Sequence, residues 1–322
     1  MLEQVQQLLS DPDVIVAEEV QALWSDFGSL VRCFSPKLNK NIIVKRIAPP
    51  APENSKHPRG WNTTTSHERK LKSYQIESEF YQHYAKHTDN DCTVPQLIAA
   101  DSNETHTLLI MEDLAELGFS ETRETGTEFI VKKGIHWLAH FHAKFMFTPA
   151  EALWQQGGYW HLATRQDELR KMPDSDLKTC AAEIDNKLKH AKFQTLLHGD
   201  AKLQNMCFQP EAANVAAVDF QYVGKGAGVL DLMYFLGSAF EQEDLYQYSD
   251  SLFAYYLTTL EKALKDYQVD LNFDELEQEY RELYCFAWAD FYRFLLGWNP
   301  NSWKVNDFIV EMSNMAVQSI KD

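Results

Sequence analysis

Cysteine is scarce and scattered in this chain. Cys33, Cys92, Cys180, Cys207 and Cys285 include no C-x-x-C pair, which excludes a disulfide framework and the usual cysteine zinc site. Positive charge is also in short supply: 30 Lys+Arg stand against 47 Asp+Glu, a formal charge of −17. A surface of that sign repels phosphate backbones and anionic lipid, and no basic patch is segregated along the sequence. Neither nucleic acid nor a membrane is therefore an expected partner. No apolar run is long enough to span a bilayer, and the start, MLEQVQQLLSDPDV, has no basic region followed by an apolar core. A cytoplasmic location is expected on those grounds.

What is present suffices for a folded chain. Apolar residues make up 45% of 322, too many for disorder, and the length allows two lobes with a core each. No internal repeat and no low-complexity tract is found, and the oligomeric state stays open between monomer and homodimer. Residues 14–47 alternate short β-like runs with turns: VIVAEEV, WSDFGS, LVRCF, SPKLNKN and IIVKRI. Three antiparallel strands are expected there. The segment 48–66, APPAPENSKHPRGWNTTTS, carries Pro49, Pro50, Pro52 and Pro58 without periodicity. It reads as a long loop, either a lid or disordered chain.

From Ser66 to about His87 the pattern is helical, with Tyr74, Phe80, Tyr81 and Tyr84 on one face. Glu77 points into that apolar stripe, whereas Glu79 points towards solvent. Two further strands, TVPQLIAADS and ETHTLLIMEDL, complete an N-terminal lobe, residues 1–114, of five antiparallel strands and one helix. Residues 115–322 are expected to form a larger, mainly helical lobe, giving an α+β chain overall. TEFIVKKGIHWLAHFHAKFMF and residues 177–193 read as amphipathic helices, QTLLHGD and VAAVDFQ as short strand-like pieces bracketing a turn, and most of the chain from Leu230 onward as helix.

The chemistry gathers in LLHGDAKLQN, residues 196–205, and VAAVDFQ. Each puts a carboxylate, Asp200 or Asp219, just after an apolar strand end, and Asn205 follows Asp200 by five residues. Taken singly, Asp and Asn here are ordinary turn formers. Together they suit Mg²⁺ held through substrate phosphates. Phosphoryl transfer uses such a set: one Asp orients the acceptor hydroxyl proton while Asn and the second Asp fix the metal. Lys45 in IIVKRI alternates with Ile43 and Ile47 and should share their inward face. A Lys and a Glu each directed into a lobe are costly alone, so Lys45 and Glu77 are natural counter-charges. Lys202 lies close enough to Asp200 to touch a transferring phosphoryl group, with a solvated loop lysine as the equal alternative.

HGD with Asn205, then DFQ at Asp219 to Gln221, then GVLDLMYFL resembles the aminoglycoside phosphotransferase and choline kinase superfamily, which has a bilobal protein-kinase-like fold. Within it, E-x-x-F-Y at Glu77 to Tyr81, MEDL at Met111 to Leu114 and LAHFHA at Leu138 to Ala143 most resemble the ecdysteroid-kinase-like branch. That resemblance, over about residues 15 to 300, implies an ATP- and Mg²⁺-dependent kinase for a hydroxyl of a small molecule. It makes Asp200 the base, Asn205 and Asp219 the Mg²⁺ ligands, and Lys45 the phosphate-binding residue paired with Glu77. It also sets the backbone of Glu112 and Leu114 against adenine and gives Asp231 a bracing role.

Departures and alternatives remain. WSDFGSL holds only Gly28, so Ser25, Gly28 and Ser29 would have to serve over the phosphates in place of a glycine triplet. His198 and His142 read as packing and hydrogen-bonding residues. On residues 285–298 Trp288, Phe291, Tyr292 and Leu295 form a core stripe. The opposite stripe, Phe286, Asp290, Arg293 and Gly297, with Glu241, Glu243 and Asp244, reads either as an acidic acceptor pocket or as plain acidic surface. A catalytically silent nucleotide- or metabolite-binding module is the alternative function. A metal-dependent phosphohydrolase would need more carboxylate or His ligands than are offered.

Overall fold

The computed structural model describes residues 1–23, 27–48, 64–103 and 106–322. Ser25 and nearly all of the Pro-rich loop read at 48–66 lie outside them. Five strands, β1 (Ile15–Ala22), β2 (Gly28–Ser35), β3 (Lys40–Ile47), β4 (Leu97–Ser102) and β5 (Thr107–Glu112), form one sheet in the order β1-β2-β3-β5-β4. Every neighbouring pair is antiparallel. Alternation along β3 sorts its side chains between two faces. Ile42 and Val44 join Val31, Cys33, Leu108 and Ile110 on one face, where Val5 of a short helix, α1 (Leu2–Leu9), packs on them. Ile43 and Lys45 face a cleft on the other side. At the edge, β1 is exposed along its length, and two register shifts break its ladder, which blunts the edge against pairing with another chain.

The helix expected over 66–87 begins as α2 (Thr64–Glu79). It then widens into a π turn at Phe80–Tyr84 and closes with a 3₁₀ turn at Ala85–His87. The wider turn lets the consecutive rings of Phe80 and Tyr81 both become buried. Phe80 stacks on Phe220 at 3.9 Å between ring centroids, tying the end of this helical segment to the second half of the chain.

That half is mostly helical. Its helices are α3 (Glu128–Lys144), α4 (Gln166–Lys171), α5 (Asp176–Lys189), α6 (Val229–Ala239), α7 (Gln242–Asp266), α8 (Phe273–Trp298) and α9 (Asp307–Lys321). Short strands accompany them: β6 (Glu121–Thr122), β7 (Thr195–Leu197), β8 (Met206–Phe208), β9 (Val215–Ala217) and β10 (Gly224–Gly226). The two motif strands are not sheet partners of each other, since β7 pairs with β10 and β9 with β8. The chain is thus an α+β fold with a five-stranded antiparallel sheet in its N-terminal part and a helical remainder. Among the described residues no helix is long and apolar enough to cross a membrane.

Helix α8 corrects one expectation. Trp288, Phe291 and Leu295 are buried, but so are Phe286, Asp290, Arg293 and Gly297 on the supposed outer stripe. The helix packs against α4, α5, α6 and α9, and a side chain at Gly297 would come within 2.0 Å of the Glu168 carbonyl oxygen of α4. Asp290 is taken up by Arg293, whose Nε and Nη2 donate to its Oδ1 at 3.0 and 2.7 Å. The mixed stripe is therefore a buried ion pair among helices, with no acidic acceptor pocket there. Glu241 and Glu243 are exposed at the start of α7.

Candidate active site

A cleft of about 1110 Å³ lies between the sheet and the helical part. Pockets for one small ligand run to about 300–1,000 Å³, so this one has room for a nucleotide and a second molecule. On the sheet side Lys45 of β3 meets Glu77 of α2, with Nζ 2.6 and 2.7 Å from the two carboxylate oxygens. Both side chains are buried. Burial pushes the Glu77 carboxyl up, against the pull of Lys45. Glu112, Asp113 and Leu114, at the end of β5 and just beyond it, line the same cleft. Asp113 is held by an ion pair with Arg32 and accepts from Ala115 N at 3.0 Å, which fixes the turn.

On the helical side β7 runs directly into His198, Gly199 and Asp200. Gly199 has φ +81°, and a Cβ there would lie 2.1 Å from the Tyr222 carbonyl oxygen, so no other residue fits. The fully buried Asp231 of α6 accepts from His198 N at 2.6 Å and Gly199 N at 3.0 Å. Its Oδ2 also lies 3.2 Å from His142 Nε2. His198 accepts from Asp200 N at Nδ1 (3.3 Å) and meets the Val218 carbonyl at Nε2 (3.0 Å). Accepting at one nitrogen and donating at the other commits the ring to holding the loop.

Asp200 is buried and faces the cleft, its Oδ2 2.8 Å from Lys202 Nζ and 3.2 Å from Asn205 Nδ2. Asn205 Nδ2 also donates to the Asp200 carbonyl at 2.9 Å, so only the amide oxygen of Asn205 could serve as a ligand atom. Val218 N donates to the Asn205 carbonyl at 3.0 Å, and that bond sets Asp219 beside this loop. Asp219 stands at φ +70°, a costly conformation for a residue with a side chain.

Its Oδ1 is buried without a hydrogen-bond partner among the described residues. An orphaned carboxylate oxygen beside an amide oxygen is the donor set a hard divalent cation takes, so the residues fit Mg²⁺. Burial pushes the Asp219 carboxyl up, but Lys45, Lys70 and Lys202 together hold it below the usual carboxylate range. Lys70 carried no expectation from the sequence. It lines the cleft and donates to Gln221 Oε1 at 3.0 Å. It lies seven residues before Glu77 on α2, and that helical period was the signal that could have found it.

Of the other residues named from the sequence, Glu112, Leu114 and Lys202 line this cleft together with Lys45, Glu77, Asp200, Asn205 and Asp219. Gly28 does not. It is the first residue of β2, at φ +138°, where a Cβ would sit 1.9 Å from the Arg46 carbonyl oxygen. Close strand pairing accounts for it.

Residues 145–269 match the model of the ecdysteroid kinase-like family, EcKL. The resemblance to that family stands, with the match running over residues 145–269. The match spans the stretch that holds Asp200, Asn205, Asp219 and Asp231. Among solved structures the chain is similar to one described as an aminoglycoside-3'-phosphotransferase of type VIII, at 14% identity, covering 89% of this chain and 98% of that one, with a TM-score of 0.46. It is also similar to a Plasmodium vivax ethanolamine kinase, at 11% identity, covering 99% of this chain and 86% of that one, with a TM-score of 0.49. No curated protein sequence matches it.

Proposed function

We propose that this ecdysteroid kinase-like chain is a small-molecule kinase that transfers the γ-phosphoryl group of ATP to a hydroxyl of a small organic acceptor. The observation that carries the reading is the convergence of Lys45, Lys70 and Lys202 on Asp219 beside Asp200 in one cleft. Three ammonium groups around a carboxylate with an unsatisfied oxygen suit a polyphosphate arriving with a divalent cation. In this reading residues 1–114 hold the nucleotide, its adenine edge against the backbone of Glu112 and Leu114 and its phosphates against Lys45. Residues 115–322 supply the catalytic loop and the acceptor site.

When bound, Mg²⁺ would supply charge neutralisation of the β- and γ-phosphates, with Asp219 and Asn205 as its protein ligands. Asp200 takes the proton of the acceptor hydroxyl as its oxygen bonds to the γ-phosphorus. The bond to the β–γ bridging oxygen breaks, and ADP leaves with that electron pair. Lys202, paired with Asp200 before substrates arrive, is within reach of the phosphoryl group in transit and stabilises its charge.

The test is ATP consumption with Mg²⁺ against hydroxylated metabolites, sterols, choline analogues and aminoglycosides, with the phosphate ester located by mass spectrometry. ADP formed in step with one ester is the expected result. Tight Mg²⁺-dependent nucleotide binding with no ester from any acceptor would leave the silent binding module in its place.

A further inference from the structure

Beyond Asp200 the cleft changes character. Its wall there is Tyr159, Tyr222, Tyr234, Phe294 and Trp298, an aromatic surface suited to a ring or other apolar body. The cations at this end differ in whether a carboxylate balances them. Arg165 is balanced by Glu168 at 3.1 Å and Lys202 by Asp200 at 2.8 Å. Beside this wall rather than in it, Lys304, from the link between α8 and α9, has no such balance. Its ammonium lies 4.7 Å from the ring centroid of Tyr234 and 5.7 and 5.5 Å from those of Phe291 and Trp303. No carboxylate among the described residues forms an ion pair with it.

Burial, more than charge, sets the titration of two groups here. Burial brings Lys304 down to about 8, with Lys202 adding to the effect and Asp200 opposing it. Burial, then Arg165, Arg293, Lys72 and Arg69, brings His161 down to about 3. This end of the cleft is thus an aromatic wall with one ammonium beside it, that of Lys304, for which no ion pair is formed among the described residues, inside a chain of formal charge −17.

We propose that the acceptor is an anion: a hydroxylated aromatic or alicyclic carboxylic acid, its ring against Tyr234 and Phe294, its carboxylate held by Lys304 and its hydroxyl at Asp200. This rests on the kinase reading above. It sets Lys304 apart from Lys45 and Lys70, which converge on Asp219 and so belong to the nucleotide phosphates. The products are ADP and the phosphate ester of the acid.

The experiment uses hydroxylated carboxylic acids, each paired with its methyl ester, of which p-(hydroxymethyl)benzoate is the smallest. In the wild type, kcat/KM for the acid exceeds that for the ester by about tenfold or more, the range for a charge-assisted contact. Lys304→Met brings the ratio close to one without raising KM for ATP, and Lys304→Arg, which keeps the charge, retains the preference. An ester used as well as its acid overturns the inference. So does a Lys304→Met protein that keeps the acid preference and loses affinity for ATP. If only neutral or cationic alcohols gain phosphate, the kinase reading survives and the anionic acceptor falls. If no alcohol gains phosphate, the kinase reading falls, and titration of p-(hydroxymethyl)benzoate by calorimetry decides the site itself. Binding that Lys304→Met abolishes supports it, and its absence overturns it.

Discussion

At the scale of single residues the chemistry turns on which polar atoms are committed and which are left over. Asp200 is held from three sides, by His198, Lys202 and Asn205, so Asp200→Asn keeps its shape but loses the carboxylate that takes the proton, and with it the charge that pairs with Lys202. Turnover should fall about 10²- to 10⁴-fold with nucleotide affinity nearly intact. Steady-state kinetics beside a nucleotide titration would show it, and near wild-type kcat would remove Asp200 as base. Lys70→Met should instead raise KM for ATP, because Lys70 helps to hold Asp219 in its charged form. Lys304 gives a pH signature. Its charged form is the one that binds a carboxylate, and in the free protein it loses that charge at about 8. The groups around it are Asp200, Lys202 and the ring of Tyr234. For an acid acceptor kcat/KM should therefore fall as pH rises through about 8. The descending limb should be absent with the methyl ester and in Lys304→Met.

At the scale of elements the site depends on joints between pieces. Lys45 sits on β3 and Glu77 on α2, so their ion pair fixes the helix against the sheet. Lys45→Met and Glu77→Gln should each impair turnover, and the double mutant should be less impaired than the product of the two, since either single change strands a buried charge. Strict additivity in a double-mutant cycle would mean that the pair is not coupled. The loop after β7 hangs on α6 through Asp231, so Asp231→Ala leaves two buried backbone N–H groups unpaired and should lower stability by about 2 kcal/mol or more, read by thermal unfolding. Much of this was legible in the sequence because it is local. Strict alternation placed Lys45 on the same face as Ile43, and the helical period turned Glu77 inward and Glu79 outward. The rest is not local. The π turn after α2 leaves little trace in short windows. The aromatic end of the cleft is assembled from Tyr159, Arg165, Tyr234 and Phe294, with Lys304 beside it, and these share no element and no period. The α8 stripe misled because a helix buried on all sides can satisfy an Asp with an Arg three residues on, which in sequence looks the same as a polar outer face.

At the scale of the whole molecule two electrostatic ranges oppose each other. The chain carries a formal charge of −17, and ATP and the proposed acceptor are both anions, so the long-range field repels them even though the cleft holds Lys45, Lys70, Lys202 and, beside it, Lys304. The two ranges respond differently to salt. The Debye length shrinks from about 30 Å at 0.01 M to about 8 Å at 0.15 M, which removes repulsion from distant surface carboxylates, while buried contacts are screened much less. The association rate of a fluorescent ATP analogue should therefore rise with salt across that range, with the dissociation rate changing little. This is the reverse of an enzyme that steers its substrate by a favourable surface field. Stopped-flow mixing at several salt concentrations measures both rates. An association rate that falls with salt would show that the lysines at the cleft already dominate the field at the distance where encounter begins.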